Sequence, residues 1–155
     1  MLILFFKLFL KNYSLLRIFQ IIEINKLLLN GKTLEFGAHK KKERNFSFYI
    51  NEKKKLNYSN IFTDKKSNIF YADLTKMLKI KSNLYNNILI FNVLEHLNEH
   101  ESTSKELNRI LKKNGSLVGS TPFLYQIHGA PKDYLRFSKD YLIHIFKKSK
   151  FKKIE

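Results

Sequence analysis

The chain has 155 residues, with 29 Lys+Arg against 13 Asp+Glu and a formal net charge of +16. Apolar residues make up 44% of the chain, which is enough for one packed domain and argues against disorder. The absence of cysteine excludes disulfides, thiolate zinc sites and cysteine nucleophiles. A histidine or carboxylate metal site survives that exclusion, but the five histidines are scattered along the chain and we assign no metal ligand.

The positive charge is better explained by a lysine-rich surface than by a nucleic-acid interface. Only four of the 29 cationic residues are arginine, the residue whose bidentate fork reads base edges. The lysines form short runs spread along the chain, such as Lys40 to Lys42 and Lys147 to Lys148. We therefore expect solvated lysines, and a basic nucleic-acid-binding module stays open as an alternative function.

Residues 1–31 predict amphipathic helices that precede the main domain. The segment 1–10 is very apolar, but Lys7 and Lys11 interrupt it far short of the ~20 apolar residues of a spanning helix. It also lacks the flanks of a secretory signal. We expect these helices to pack on the domain. The alternative is a membrane-surface helix with Lys7, Lys11 and Arg17 facing headgroups, on a cytoplasmic protein peripheral to the inner membrane face.

Residues 32–155 alternate between strand and helix patterns. Strands are predicted at 33–38, 56–62, 69–74, 87–91 and 116–121, and the continuous apolar run at 87–91 indicates a strand buried on both faces of a sheet. A last amphipathic helix is predicted at 139–148. This order predicts an α/β fold: a doubly wound, mostly parallel sheet of about five strands.

One helix has predicted start and stop signals. Thr103 and Glu106 fit a capping box, Lys112 and Lys113 suit the last turn, and Gly115 permits a left-handed cap. A strand–helix–strand crossover is therefore expected between 87 and 121, and ligands of such sheets bind beyond the carboxyl ends of the strands.

Four segments, in order, resemble S-adenosylmethionine-dependent methyltransferases of the Rossmann-like class, specifically the type 11 family. They are Leu34-Glu35-Phe36-Gly37-Ala38, Ala72-Asp73-Leu74, Asn92-Val93-Leu94-Glu95-His96-Leu97 and the helix end from Arg109 to Gly115. The resemblance covers about residues 32 to 151 and implies S-adenosylmethionine as cofactor.

The same resemblance implies roles for individual residues. Glu35 would order the amino group of the cofactor's methionine moiety, and the backbone of Gly37 and Ala38 would approach that moiety closely. Asp73 would accept a hydrogen bond from the adenine amino group. Asn92 would line the site of methyl transfer. The residue at the end of strand 2 that would bind the ribose hydroxyls is either Asn60 or Asp64. Asn60 lies nearer the usual distance in sequence from Gly37, whereas Asp64 has the carboxylate that normally binds the two hydroxyls. His96 matches a motif residue, but we expect it to cap the helix after strand 4.

The segment after strand 5 resembles methyltransferases encoded among surface-polysaccharide and lipopolysaccharide genes. This loop leaves the carboxyl end of a strand, where a substrate-binding loop is expected. Asp133, Tyr134 and Arg136 are the predicted substrate-binding residues, and His128 is the predicted catalytic base. The alternative is local: Asp133 pairs with Arg136, while Tyr134 and Phe137 pack on the next helix.

Two departures from the family pattern keep alternatives open. Only Gly37 remains of the two or three glycines usual in the first motif, with His39 where a second is expected. The last strands of the family are missing, which predicts a sheet truncated at its C-terminal edge and an open edge through which the chain would oligomerise. The predicted function is methyl transfer to an oxygen or nitrogen acceptor, such as a small molecule or a sugar of a surface glycan. The alternative is a non-catalytic, methyltransferase-like remnant.

Overall fold

The computed structural model describes residues 2–50, 55–63, 65–129 and 131–155. A five-stranded, all-parallel sheet with the order β3-β2-β1-β4-β5 forms its centre, which confirms the predicted fold class. The strands are β1 (Thr33–Phe36), β2 (Leu56–Asn60), β3 (Ile69–Tyr71), β4 (Tyr85–Phe91) and β5 (Leu111–Ser120), and the helices are α1 (Leu2–Phe9), α2 (Leu15–Asn25), α3 (His100–Ile110) and α4 (Lys139–Lys148). Short 3₁₀ helices lie at Lys42–Arg44, Phe46–Tyr49, Lys65–Ser67 and Leu94–His96.

Strand β4 is buried on both faces, as its apolar run predicts. Its side chains alternate between two cores because successive residues of a strand point to opposite faces. Ile88 and Ile90 pack in the core that includes Leu107 of α3, whereas Leu89 and Phe91 pack in a second core. This second core contains residues of α2, of the loop after it and of the chain from Phe46 to Ile50: Ile24, Leu29, Phe46 and Ile50.

The start of α3 differs from the prediction because its capping residues make tertiary contacts. The helix begins at His100, so Thr103 lies inside it. Thr103 Oγ1 donates to the carbonyl of Leu74 at 3.0 Å, and Glu106 accepts from the amide of Leu78 at 2.7 Å. The predicted capping box is therefore wrong, since both side chains hold the segment between β3 and β4.

The end of α3 also differs from the prediction. The helix ends at Ile110 and the chain enters β5 at Leu111, so Lys112 and Lys113 do not lie in a last helical turn. Asn114, with φ of 63°, takes the left-handed conformation that was expected at Gly115. A Cβ at Gly115 would lie 2.8 Å from the carbonyl oxygen of Asn86, so its glycine serves close packing of β5 on β4.

The remaining boundaries follow local turns. Strand β2 ends at Asn60 because the Asn60 side chain accepts from the amide of Phe62 at 3.2 Å, and β3 ends at Tyr71 because Asp73 forms a turn with Thr75. Helix α4 has the predicted bounds, and the crossover from β4 through α3 to the parallel β5 is confirmed. Strands β3 and β5 form the sheet edges over the described residues, and oligomerisation through an edge stays a prediction.

The N-terminal helices α1 and α2 pack on each other and on the domain. Leu8, Ile18 and Ile21 are buried in a small core of their own, and Ile24 joins the core on the sheet. The boundary predicted between residues 31 and 32 stays a prediction. Among the described residues, no helix has the length and apolar character to span a membrane.

Candidate active site

A cavity of about 570 Å³ opens at the carboxyl ends of the first four strands. Its walls include Gly37 after β1, Asn60 at the end of β2, Asp73 after β3 and Asn92 after β4, four of the predicted cofactor residues. The position is the one at which ligands of parallel sheets bind, and the volume lies within the range of about 300–1,000 Å³ for small-molecule sites. We call it the cofactor cavity.

Gly37 lets two loops approach each other at the floor of the cofactor cavity. Its φ of +70° lies in the left-handed region, and an added Cβ would come within 2.6 Å of Val93 Cγ2. Only glycine therefore fits between the end of β1 and the residues after β4. The resemblance assigns Gly37 another close approach, that of its backbone to the methionine end of the cofactor, and this stays a prediction.

Asp73 and Asn60 line the cavity and are held by local hydrogen bonds. Asp73 Oδ1 accepts from the amide of Thr75 at 3.0 Å and from its hydroxyl at 2.6 Å. Burial would raise the pKa of Asp73, but the Thr75 hydrogen bonds and nearby Lys76 lower it overall, so the carboxylate is ionised. Asn60 Nδ2 donates to the carbonyl of Ala38 at 2.9 Å, which joins the ends of β1 and β2. Asp64 lies outside the described residues.

Glu35 and Ala38 do not line the cofactor cavity. Glu35 is buried, and its carboxylate accepts from the amides of Phe46 at 2.8 Å and Ser47 at 3.1 Å, and from the Ser47 hydroxyl. Burial raises the pKa of Glu35, while the hydrogen bonds from Ser47 and Phe46 oppose that rise. Ala38 is buried and its amide donates to the carbonyl of Ser59 at 3.0 Å. The predicted contacts of both residues with cofactor stay predictions.

Asn92 lies where the cofactor cavity meets a second cavity. Its backbone is left-handed, with φ of 53°, and its amide donates to the carbonyl of Ser120 at 2.8 Å. Its Oδ1 accepts from Gln20 Nε2 and from Ser120 Oγ, each at 3.2 Å. Helix α2 is thereby tied to the ends of β4 and β5.

The second cavity, of about 590 Å³, has a basic lining. It lies between the N-terminal helices, the loop after β1 and the loop after β5, with Asn92 and Tyr125 on its wall. Four cations line it against the single acid Glu43: Lys11, Arg17, Lys41 and Arg44. Arg17 lies 3.3 Å from the centroid of the Phe46 ring, which fixes its charge at the wall. We call this space the basic cavity.

His128 lies between the two cavities. Its ring makes edge contacts with Tyr125 of the basic cavity, at 5.2 Å between centroids, and with His96 of the cofactor cavity, at 5.0 Å. The His128 amide donates to Asp133 Oδ2 at 2.9 Å, and its Nδ1 lies 3.2 Å from the same oxygen. The predicted base is thus oriented by a carboxylate.

Asp133 and Arg136 form the local ion pair that the alternative prediction described. Arg136 Nη1 and Nη2 lie 2.5 and 2.8 Å from the two carboxylate oxygens, and this hydrogen bonding holds the pKa of Asp133 well below its usual range. Phe137 is buried against His100, while Tyr134 is exposed on the wall of the cofactor cavity. Substrate contacts by Asp133, Tyr134 and Arg136 stay predictions.

Sequence reasoning passed over three residues of this site. Gln20 lies 72 residues from Asn92 in sequence, and no local pattern marks it. Tyr125 is one of several aromatic residues in a loop. Glu95 stands out in the sequence only as part of its motif, yet it is fully buried and lies beside His96.

His96 does not cap a helix as predicted. Its Nδ1 contacts the carbonyl of Lys132 instead.

Comparison with known proteins agrees with this fold. The Methyltransf_11 family model, described as a methyltransferase domain, matches residues 46–119, slightly less than half of the chain. No curated protein sequence shows a significant match.

Several solved methyltransferase structures share the fold. An S-adenosylmethionine-dependent methyltransferase from Thermotoga maritima is 17% identical with a TM-score of 0.63, over 86% of this chain and 70% of that one. One from Archaeoglobus fulgidus is 14% identical with a TM-score of 0.62, over 88% and 67%. Phosphoethanolamine N-methyltransferase 2 of Haemonchus contortus, solved with S-adenosyl-L-methionine, is 13% identical with a TM-score of 0.58, over 88% and 36%.

These likenesses in structure show the fold, and the domain match indicates the class. The match of residues 46–119 to a methyltransferase domain supports the S-adenosylmethionine-dependent enzyme class, and with it the cofactor, predicted from the sequence. The cavity at the strand ends suits that cofactor, because Gly37 lines it without a side chain and the Asp73 carboxylate lines its wall.

Proposed function

We propose that the chain transfers a methyl group from S-adenosylmethionine to an oxygen or nitrogen of an acceptor bound in the basic cavity. The observation that carries this proposal is the meeting of the two cavities: Asn92 lines both, and His128 contacts one ring from each. A methyl group held in the cofactor cavity near Asn92 would therefore face an acceptor on the other side.

Alignment is the main contribution of such an enzyme. Bound S-adenosylmethionine supplies an activated sulfonium methyl group, so holding the acceptor in line with it can supply roughly 7–11 kcal/mol of barrier reduction. Asp73 and Asn60 would bind the nucleoside end, and Gly37 would allow the methionine end close to the backbone. His128, oriented by Asp133, would contact the nucleophilic atom of the acceptor.

The lining of the basic cavity favours an acceptor that carries negative charge. Four cations and one acid line it, and the half-buried position of Arg17 strengthens the field of its charge. An acidic or phosphorylated sugar fits this charge. It also fits the resemblance of residues 121–137 to methyltransferases encoded among surface-polysaccharide and lipopolysaccharide genes. We therefore extend the proposal to an anionic sugar acceptor.

The charge of the acceptor can be tested with a paired change. In the variant with Lys11→Glu and Lys41→Glu, two cations at the rim of the basic cavity become acids. We expect the KM for a sugar phosphate to rise about tenfold, since each exposed ion pair contributes about 1 kcal/mol or less, while the Kd for S-adenosylmethionine is unchanged. The measurement is formation of S-adenosylhomocysteine with phosphorylated and neutral sugars.

Lys79→Glu is the matched control, because Lys79 is exposed away from both cavities. Equal KM values in the double variant and this control would contradict an anionic acceptor in the basic cavity. If millimolar S-adenosylmethionine gives no heat of binding in calorimetry, the chain is not a transferase. The alternative of a non-catalytic, methyltransferase-like remnant would then hold.

We further propose that α1 contacts an anionic membrane surface. Ile3 and Leu10 are 86% and 80% exposed, Phe6 and Phe9 are also exposed, and Lys7 lies among them. Apolar side chains beside lysine suit an interface with negatively charged headgroups.

Vesicle sedimentation tests the membrane contact. We expect the chain to sediment with phosphatidylglycerol vesicles and the variant Ile3→Ser with Leu10→Ser to bind at least about tenfold more weakly, because two exposed apolar side chains are lost. Met77→Ser, which changes an equally exposed residue elsewhere, should bind as the unchanged chain does. The proposal would be contradicted if the chain sedimented equally with phosphatidylcholine and phosphatidylglycerol vesicles, or if it sedimented with neither.

A further inference from the structure

Three side chains of the metal-ligating type converge beside the cofactor cavity. Glu95 and His96 belong to the 3₁₀ helix after β4, and His128 belongs to the loop after β5. One ligand atom from each lies within 4.8 Å of the other two. His96 Nε2 is 3.7 Å from Glu95 Oε1, a separation that two ligands of one ion can adopt.

Glu95 lacks the partners that a buried carboxylate needs. Its side chain is fully buried, and apart from its own backbone amide neither carboxylate oxygen has a hydrogen-bond partner among the described residues. Burying an unpaired carboxylate is costly, so buried charges are normally paired or coordinate a metal. The unsatisfied oxygens therefore point to a cation that binds at this position.

Both histidines are arranged as metal ligands usually are. His96 Nδ1 contacts the carbonyl of Lys132, and His128 Nδ1 lies 3.2 Å from Asp133 Oδ2. With Nδ1–H donating to an oxygen, Nε2 carries the lone pair. Metal-bound histidines commonly donate their other nitrogen to a carbonyl or carboxylate in this way, which fixes the tautomer and the ring.

We propose that Glu95, His96 and His128 bind one divalent transition-metal ion of the Zn²⁺ type. Two imidazoles and one carboxylate form a ligand set that zinc uses in catalytic sites, where the remaining position stays open. Metal–ligand bonds of about 2.0–2.2 Å require the three donor atoms to approach by about 1 Å. The partly exposed His128 side chain, on a loop, has the freedom for this movement.

The open position gives the site a role that rests on the proposed methyl transfer. An acceptor hydroxyl bound to the ion would lose its proton to solvent water more readily. Its oxygen lone pair would then attack the methyl carbon, the C–S bond would break, and its electron pair would remain on sulfur as the neutral thioether of S-adenosylhomocysteine. His128 would thus act as a metal ligand in place of the free base predicted from sequence.

Zinc titration of the full chain, after removal of metal with EDTA, tests the site. We expect one Zn²⁺ to bind per chain by calorimetry, and Co²⁺ to give the absorption of a four- or five-coordinate ion. His128→Ala should weaken Zn²⁺ binding at least about 100-fold, because a ligand on an exposed loop is lost without disturbing a core. Glu95→Gln should weaken it similarly.

His144→Ala is the matched control, since His144 is an exposed histidine on α4, outside the cluster. It should bind Zn²⁺ as the unchanged chain does. No Zn²⁺ binding at micromolar concentration, or equal affinity in the His128 and His144 variants, would overturn the proposal. S-adenosylmethionine binding measured in EDTA separates the two ideas: if it persists while zinc fails to bind, the metal site falls and the proposed transferase stands.

Discussion

Gly37→Ala is expected to weaken S-adenosylmethionine binding by at least about tenfold. The new Cβ would lie 2.6 Å from Val93 Cγ2, and the φ of +70° is itself strained for alanine. Relieving the contact must move either the end of β1 or the residues after β4, and both line the cofactor cavity. Overpacking and left-handed backbone each cost about 1–3 kcal/mol. Calorimetry with S-adenosylmethionine measures the effect.

A second change on the same contact separates the clash from the backbone strain. Val93→Ala removes the atom that the new Cβ would meet, so the double variant should recover part of the lost affinity. Lys79→Ala is the control, because Lys79 is exposed and lines neither cavity. Full affinity in Gly37→Ala would mean that the cofactor does not use this close approach.

Glu35→Ala is expected to destabilise the fold by about 3–5 kcal/mol. The change leaves the amides of Phe46 and Ser47 and the Ser47 hydroxyl without their acceptor in a buried position, and each such loss costs about 1–3 kcal/mol. It also removes the charge that faces Arg17. Urea denaturation measures the change through the midpoint at constant slope.

Two variants show whether the hydrogen bonds cause this loss. Glu35→Gln keeps the shape and one acceptor, so it should cost less than Glu35→Ala. Glu23→Ala, which breaks an exposed pair with Lys26, should cost under about 0.5 kcal/mol. If Glu35→Ala unfolds at the same urea concentration as Glu23→Ala, the carboxylate does not organise the loop after β1.

Much of the fold and part of the site could be predicted because they depend on local patterns. The apolar run at 87–91 identifies an interior strand, since only a strand covered on both faces buries every residue. Gly37, Asn60, Asp73 and Asn92 each follow or end a strand, and parallel strands bring those ends to one edge of the sheet. Their convergence therefore follows from the strand order alone.

The incorrect details involve side chains that bond to distant parts of the chain. Thr103 and Glu106 have the spacing of a capping box, but their hydrogen bonds go to Leu74 and Leu78, so the helix begins earlier. Glu35 was expected at the cofactor, and its carboxylate instead holds the start of the 3₁₀ helix at Phe46. No short-range pattern distinguishes these alternatives.

The sequence by itself determined the charge and the parallel α/β fold, and its resemblance to a known family implied the cofactor. Composition, apolar periodicity and short motifs are local properties, and they suffice for these conclusions. Only the tertiary structure decided that Lys11, Arg17 and the cations of the loop after β1 surround the basic cavity. It also decided that Glu95, His96 and His128 meet beside the cofactor cavity. Such meetings depend on how loops fold back over the sheet. The sequence predicts that the +16 charge is spread over a solvated surface. In the structure, four of the cations line the proposed acceptor site.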